Sequence, residues 1–122
     1  MKIETIVPAG SDERGYTAEY THERGGMQLV IFRKAGTVSG RHYHKGLSKT
    51  KDPEIFIVLS GTCTVNWRNI NDAEIQSAEV TGPAKMEIPP YTWHELVMHT
   101  DCTCLEQNSI QEHKDDTFYL EP

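Results

Sequence analysis

His42 and His44 stand two residues apart, Glu54 follows ten residues later, and His94 lies forty residues beyond it. On a β-strand, side chains at i and i+2 share a face, so this spacing presents both imidazoles of the pair together. Three imidazoles and one carboxylate, delivered from three strands, can converge inside a barrel. Such a nitrogen-rich set suits a divalent first-row metal. Neutral imidazoles with a single carboxylate leave the ion net positive and leave coordination positions open to water or substrate. His42, His44, Glu54 and His94 are therefore the candidate metal ligands. Taken singly, a strand histidine is more often a surface or hydrogen-bonded residue, and Glu54 could be an edge-strand charge. The metal reading rests on the four together. His22, His99 and His113 have no comparable setting and read as ordinary polar residues.

The elements that must carry these residues are short and β-prone. Residues 27–32 (MQLVIF) and 54–59 (EIFIVL) are apolar runs, the second closed by Ser60-Gly61. Residues 62–68 alternate, with Cys63, Val65 and Trp67 on one face, and 69–72 read as a turn. Further runs cover 75–80, 85–88, 93–99 and 102–107, and 3–7 adds an edge strand. No convincing amphipathic helix, repeat or low-complexity tract interrupts the pattern. Many short strands with Gly and Pro between them predict an all-β sandwich or small barrel. Residues 9–26 and 45–53 read as loops. The tail, 109–122, is polar apart from Phe118, Tyr119 and Leu120, and is expected to pack loosely over the barrel.

A chain of 122 residues fits one domain, 1–122, with a core large enough to need no disulfide or structural metal. With 37% hydrophobic and 25% charged residues, it has a globular rather than a disordered composition. Its formal charge of −6 argues against nucleic acid or an anionic membrane as the main partner. No segment has the length of apolar sequence a membrane span needs, and the first residues lack a signal-peptide core, so a cytoplasmic location is expected. Cys63, Cys102 and Cys104 read as reduced, buried small hydrophobes rather than a disulfide framework or soft-metal site. Arg33, Arg41, Lys45, Lys49 and Lys51 crowd near the histidine pair, as a solvated loop or as a local patch for a small anion.

The spacing also carries a family resemblance. Gly36, five residues, His42-x-His44, then Glu54, six residues, Gly61 resembles the first cupin motif, over 36–61. Pro89-Pro90-Tyr91-Thr92-Trp93-His94 resembles the second, over 82–98. The resemblance implies an all-β cupin fold, a double-stranded β-helix or jelly-roll barrel. It also implies that His42, His44, Glu54 and His94 bind one divalent metal, zinc first, with iron, manganese or nickel as alternatives. Four features depart from the pattern. Nine residues separate His44 from Glu54, more than the family's usual gap, so 45–53 must loop out. Tyr91 stands where the second motif usually has Gly, and Met98 where it usually has Asn. Gly82 falls one residue early.

Two narrower resemblances bear on substrate. Residues 65–70, 80–82, 87–92 and 116–119 are similar to the zinc-binding C-terminal cupin domain of capsular-polysaccharide nucleotide-sugar reductases, which epimerises a nucleotide-linked 4-keto-sugar. Residues 12–15 and 88–96 resemble the nucleotide-sugar 3,4-ketoisomerases, which generally work without metal through paired histidines and tend to lack a glutamate at the position of Glu54. Both imply movement of a proton at a carbon beside a keto group, with a cation stabilising the enolate and a separate acid/base near the working pH. Tyr91, Glu106 or a histidine not fully engaged by metal are the acid/base candidates. Arg41 and Lys45 could hold a diphosphate, and Trp93 or Tyr43 could stack on a base or sugar or simply lie in the core. The expected function is a sugar isomerase or epimerase of polysaccharide biosynthesis. A metal-dependent dioxygenase and a non-catalytic sugar-binding or regulatory module are the rivals. A homodimer is expected from the habits of cupins.

Overall fold

A computed structural model describes residues 1–22 and 24–122. Among the described residues, twelve strands and one short helix run in the order β1 (Lys2–Thr5), β2 (Pro8–Asp12), β3 (Gly15–Ala18), β4 (Leu29–Arg33), β5 (Val38–Tyr43), β6 (Glu54–Ser60), β7 (Thr62–Asn69), β8 (Gln76–Thr81), β9 (Ala84–Ile88), β10 (Thr92–Met98), β11 (Cys102–Glu106), α1 (Ile110–Asp115) and β12 (Phe118–Tyr119). Two five-stranded antiparallel sheets, ordered β1-β9-β6-β11-β4 and β12-β5-β10-β7-β8, face one another.

The alternation of β7 decides which face packs. Cys63 and Val65 are buried and pack with Phe56 and Val58 of β6, Met86 and Ile88 of β9, and Leu96 and Met98 of β10. All three cysteines are free and buried. Strand β6 is apolar on both faces because both are covered. Phe56 and Val58 point between the sheets, whereas Ile55 and Ile57 pack outward against Ala18 and Tyr20. Gly61 makes the β6–β7 turn at φ +100, and a Cβ there would strike the Asp101 carbonyl oxygen and the Cys102 Sγ. Only glycine accepts both demands.

Two segments differ from the expectation for loops and tail. Residues 9–26 include a hairpin, β2 paired with β3, whose register Arg14 supports by closing on Asp12. The C-terminal tail is not loosely packed. Ser109 caps α1, with Glu112 completing a capping box, and Asp116 is fully buried. Strand β12 then pairs with β5. A six-residue helix cannot sustain an amphipathic stripe, so periodicity gave no sign of it. Among the described residues, no helix is long and apolar enough to cross a membrane.

Candidate metal centre

His42 near the end of β5 and His94 on β10 sit directly across from each other in the ladder. The ladder slips between His94 and Glu95, and β5 bends there through Gly40 (φ 95) and Arg41 (φ 60). Gly40 is required at this bend, since a Cβ would come within 2.7 Å of the His94 carbonyl oxygen. Such a bulge re-aims side chains, and here both imidazoles point between the sheets. His44 follows just beyond β5, and its ring lies 4.9 Å from that of His42 and 5.3 Å from that of His94, centroid to centroid. One nitrogen from each of the three buried rings falls within 4.8 Å of the others. Glu54 begins β6 in the opposite sheet and is 1% exposed. Its Oε2 is 2.6 Å from His44 Nε2 and 3.6 Å from His94 Nε2. The structure thus brings together all four residues singled out by spacing.

The hydrogen bonds on the far side of the rings set what the near side can do. His44 Nδ1 is 2.7 Å from the Asp116 carbonyl oxygen, and His94 Nδ1 is 2.9 Å from the Thr92 carbonyl oxygen. A carbonyl only accepts, so both Nδ1 atoms carry the proton and both rings turn Nε2 inward. His44 Nε2 then faces Glu54 Oε2, and neither atom has an aligned hydrogen-bond partner despite the short contact. The buried Nδ1 of His42 is also unpartnered. Three inward nitrogens and a carboxylate oxygen with no aligned hydrogen bond among them form a set of donor atoms that fits a divalent ion. Second-sphere carbonyls that fix the tautomer are the usual companions of such ligands.

Burial dominates the electrostatics. It pushes His42 down to about 2, helped by the nearby His94 and His44, and pushes His94 down to about 4 against the pull of Glu54. Burial also works to raise Glu54, but the short contact with His44 and the charge of Lys51 outweigh it and hold this carboxyl well below its usual range. Glu106 goes the other way, to about 8, through burial and the neighbouring Glu54 charge.

Glu106 belongs to a buried cluster that spacing did not reveal. Lys51 is fully buried, with Nζ 3.4 Å from Glu54 Oε1, 3.6 Å from Glu106 Oε2 and 3.0 Å from His113 Nδ1. The segment 45–53 therefore does not simply loop out. It turns inward at Lys51, which bridges back to Glu54. His113, read from sequence as an ordinary polar residue, reaches the site from α1. Its ring is 5.5 Å from that of His42, and its Nδ1 is 3.4 Å from Glu106 Oε2. Burial and then Lys51 push it down to about 4. Only the tertiary fold places Lys51 and His113 here. A weak signal for Lys51 is its position three residues before Glu54 and two before Pro53.

A cavity of about 190 Å³ opens onto these groups. His42, His94, Glu54, Glu106 and His113 form its polar part, Ile31, Phe56, Ile88, Leu96 and Met98 its apolar walls, and the exposed Arg33 its solvent side. Of the residues proposed for acid/base work, Glu106 lines this cavity and Tyr91 lies outside it. Tyr91 is 44% exposed, and its ring stacks on Tyr43. Its backbone matters more, because its N–H donates to the His44 carbonyl at 2.7 Å. It takes the φ of 60 that glycine would adopt freely, the conformation expected where the second motif usually has Gly. The residues proposed for substrate also lie outside the lining. Arg41 pairs with Glu95 on the outer face, and Lys45 sits over the Phe118 ring. Trp93 is 0% exposed and donates its indole N–H to the Leu120 carbonyl, so it serves the core and pins the tail.

The model of the polysaccharide biosynthesis C-terminal domain family matches residues 10–118. The chain belongs to that family. Comparison with curated proteins returns no match. Among solved structures, the chain is similar to the capsular polysaccharide assembling protein CapF from Staphylococcus aureus. They share 25% identity at a TM-score of 0.65, and the match covers 96% of this chain and 34% of CapF. This family member thus spans about a third of that protein. It is also similar in fold to the QdtA 3,4-ketoisomerase from Thermoanaerobacterium thermosaccharolyticum, with 20% identity, a TM-score of 0.74, and 98% and 86% of the two chains covered. A third neighbour is the dTDP-6-deoxy-D-glucose-3,5-epimerase RmlC from Legionella pneumophila, with 16% identity, a TM-score of 0.69, and coverage of 97% and 71%. The paired antiparallel sheets of this family member are the cupin-type jelly roll.

Proposed function

We propose that this member of the polysaccharide biosynthesis C-terminal family is an isomerase or epimerase. It moves a proton beside the keto group of a nucleotide-linked sugar, and His42, His44, His94 and Glu54 hold one divalent ion, zinc first. The observation that carries the reading is the convergence of three buried imidazoles on Glu54, with His44 Nε2 2.6 Å from Glu54 Oε2, at a cavity that also holds Glu106. The names of the neighbours, a 3,4-ketoisomerase and a 3,5-epimerase among them, support it. A bound ion would supply Lewis-acid stabilisation of negative charge on the keto oxygen.

The chain's own residues supply the rest. Removing a proton from the carbon beside a keto group needs a base whose pKa lies near the working pH. Glu106, raised to about 8, meets that demand in the cavity. As carboxylate it takes the proton, and as carboxylic acid it returns it to the carbon skeleton. The apolar walls exclude water and strengthen every charge interaction inside. The cavity is small beside the roughly 300–1,000 Å³ of ordinary ligand pockets. It accepts a sugar ring and leaves the nucleotide outside, towards Arg33. The reading includes a homodimer. In its support, β4 ends its sheet and turns the apolar Val30 and Phe32 to solvent.

Incubation with a panel of nucleotide-linked 4-keto-sugars in heavy water, read by mass spectrometry, tests the reading. The zinc-loaded protein should introduce deuterium into at least one. Glu106→Gln should slow exchange by about 100-fold or more while keeping its metal. Exchange at the wild-type rate in that variant would remove Glu106 from the chemistry. Failure to exchange any member would remove the isomerase.

A further inference from the structure

We infer that Lys51 is a positioning residue for the metal centre, holding one oxygen of Glu54 so that the other faces the imidazoles. The inference rests on the metal-binding reading above and assigns a role to a residue of the segment between His44 and Glu54. Lys51 Nζ is 3.4 Å from Glu54 Oε1, whereas Glu54 Oε2 is the atom 2.6 Å from His44 Nε2. The carboxylate is therefore divided, one oxygen to the ammonium and one to the histidines. A carboxylate free at both oxygens rotates about its last bond. Fixing one oxygen sets the direction of the other, which is what outer-sphere partners do for metal ligands.

A merely structural role explains Lys51 poorly. Burying an ammonium is costly unless it is paired, and a surface lysine would pin the segment at less cost. The segment has other anchors. Asp116 accepts from the backbone N–H groups of Lys45 and Ser48, and Glu112 accepts from the Ser48 and Thr50 hydroxyls. The Glu54 backbone is held independently by its pairing with Ile88. What Lys51 adds is control of the Glu54 side chain, from a position that also puts its ammonium 3.6 Å from Glu106 Oε2.

Calorimetric titration of the metal-free protein with Zn²⁺ tests this, with circular dichroism reporting the fold. Lys51→Met should weaken Zn²⁺ binding by about 10- to 100-fold. The paired variant Lys51→Met with Glu106→Gln also removes the ionisable group that Lys51 faces besides Glu54, so it decides the matter if the single variant fails to fold. It should show the same weakening, while Glu106→Gln alone stays within about threefold of wild type. Folded variants that bind Zn²⁺ as tightly as wild type, or more tightly, overturn the role of Lys51 and leave the metal centre standing. If neither Lys51 variant folds, Lys51 serves the fold and the inference is likewise overturned. A wild-type protein that takes up no Zn²⁺ would instead sink the metal reading itself.

Discussion

Replacing His94 by Gln should change how stability depends on pH, and the size of the change follows from burial. His94 is 3% exposed, and burial lowers its pKa from 6.5 to about 4 in the metal-free fold. The unfolded chain takes up a proton below pH 6.5, while the folded ring stays neutral until about pH 4. Because the folded value is the lower one, stability is intact above 6.5 and is lost as pH falls towards 4. Each pH unit in that window removes about 1.4 kcal/mol. Between about pH 7.5 and about pH 5, wild type should therefore lose about 2 kcal/mol that His94→Gln does not lose. That is a large part of the roughly 5–15 kcal/mol typical of a domain. Urea unfolding in the presence of a chelator, followed by the fluorescence of Trp67 and Trp93, measures the difference at both pH values. A gap between the two proteins that stays constant within about 0.5 kcal/mol would refute the claim that His94 is buried as a neutral ring.

Two further expectations concern the tail and the second motif. Glu112→Gln breaks a capping box and weakens contacts to Ser48 and Thr50, so it should cost about 1 kcal/mol in the same unfolding assay. The Ser109 backbone bond, then the hydroxyls, lower Glu112 from 4.5 to about 2, so its contribution is present above 4.5 and fades as pH falls towards 2. The gap between wild type and variant should close over that range. Tyr91→Phe should leave deuterium exchange within about twofold of wild type, because the hydroxyl lies outside the cavity and the backbone N–H to His44 is retained. A loss of about 100-fold would return Tyr91 to the acid/base role.

Much of the centre was legible from residue types and spacing. His42 and His44 share a face because the strand period is two, and the bend at Gly40 and Arg41 preserves that outcome. His94 and Glu54 followed from motif spacing, and the ladders deliver them from two different sheets. Glu106 was named among several acid/base candidates, and it is the one that lines the cavity. The basic cluster was harder to divide. Arg33 and Lys49 are exposed, Arg41 pairs outward, and Lys51 alone is fully buried. Composition treats five cations alike, whereas burial depends on which of them meets carboxylates from other strands.

By itself the sequence determined the all-β class, the facing of residues 62–68 and of the His42/His44 pair, and the identity of the four residues that converge. These properties repeat over two residues or sit at fixed intervals along the chain, so local geometry transmits them. The tertiary structure alone decided that Lys51 and His113 join Glu106 beside these four residues, and that Trp93, Arg41, Lys45 and Tyr91 stay out of the cavity. A charge is buried only where partners distant in sequence compensate it, and no spacing within one segment records where those partners will be.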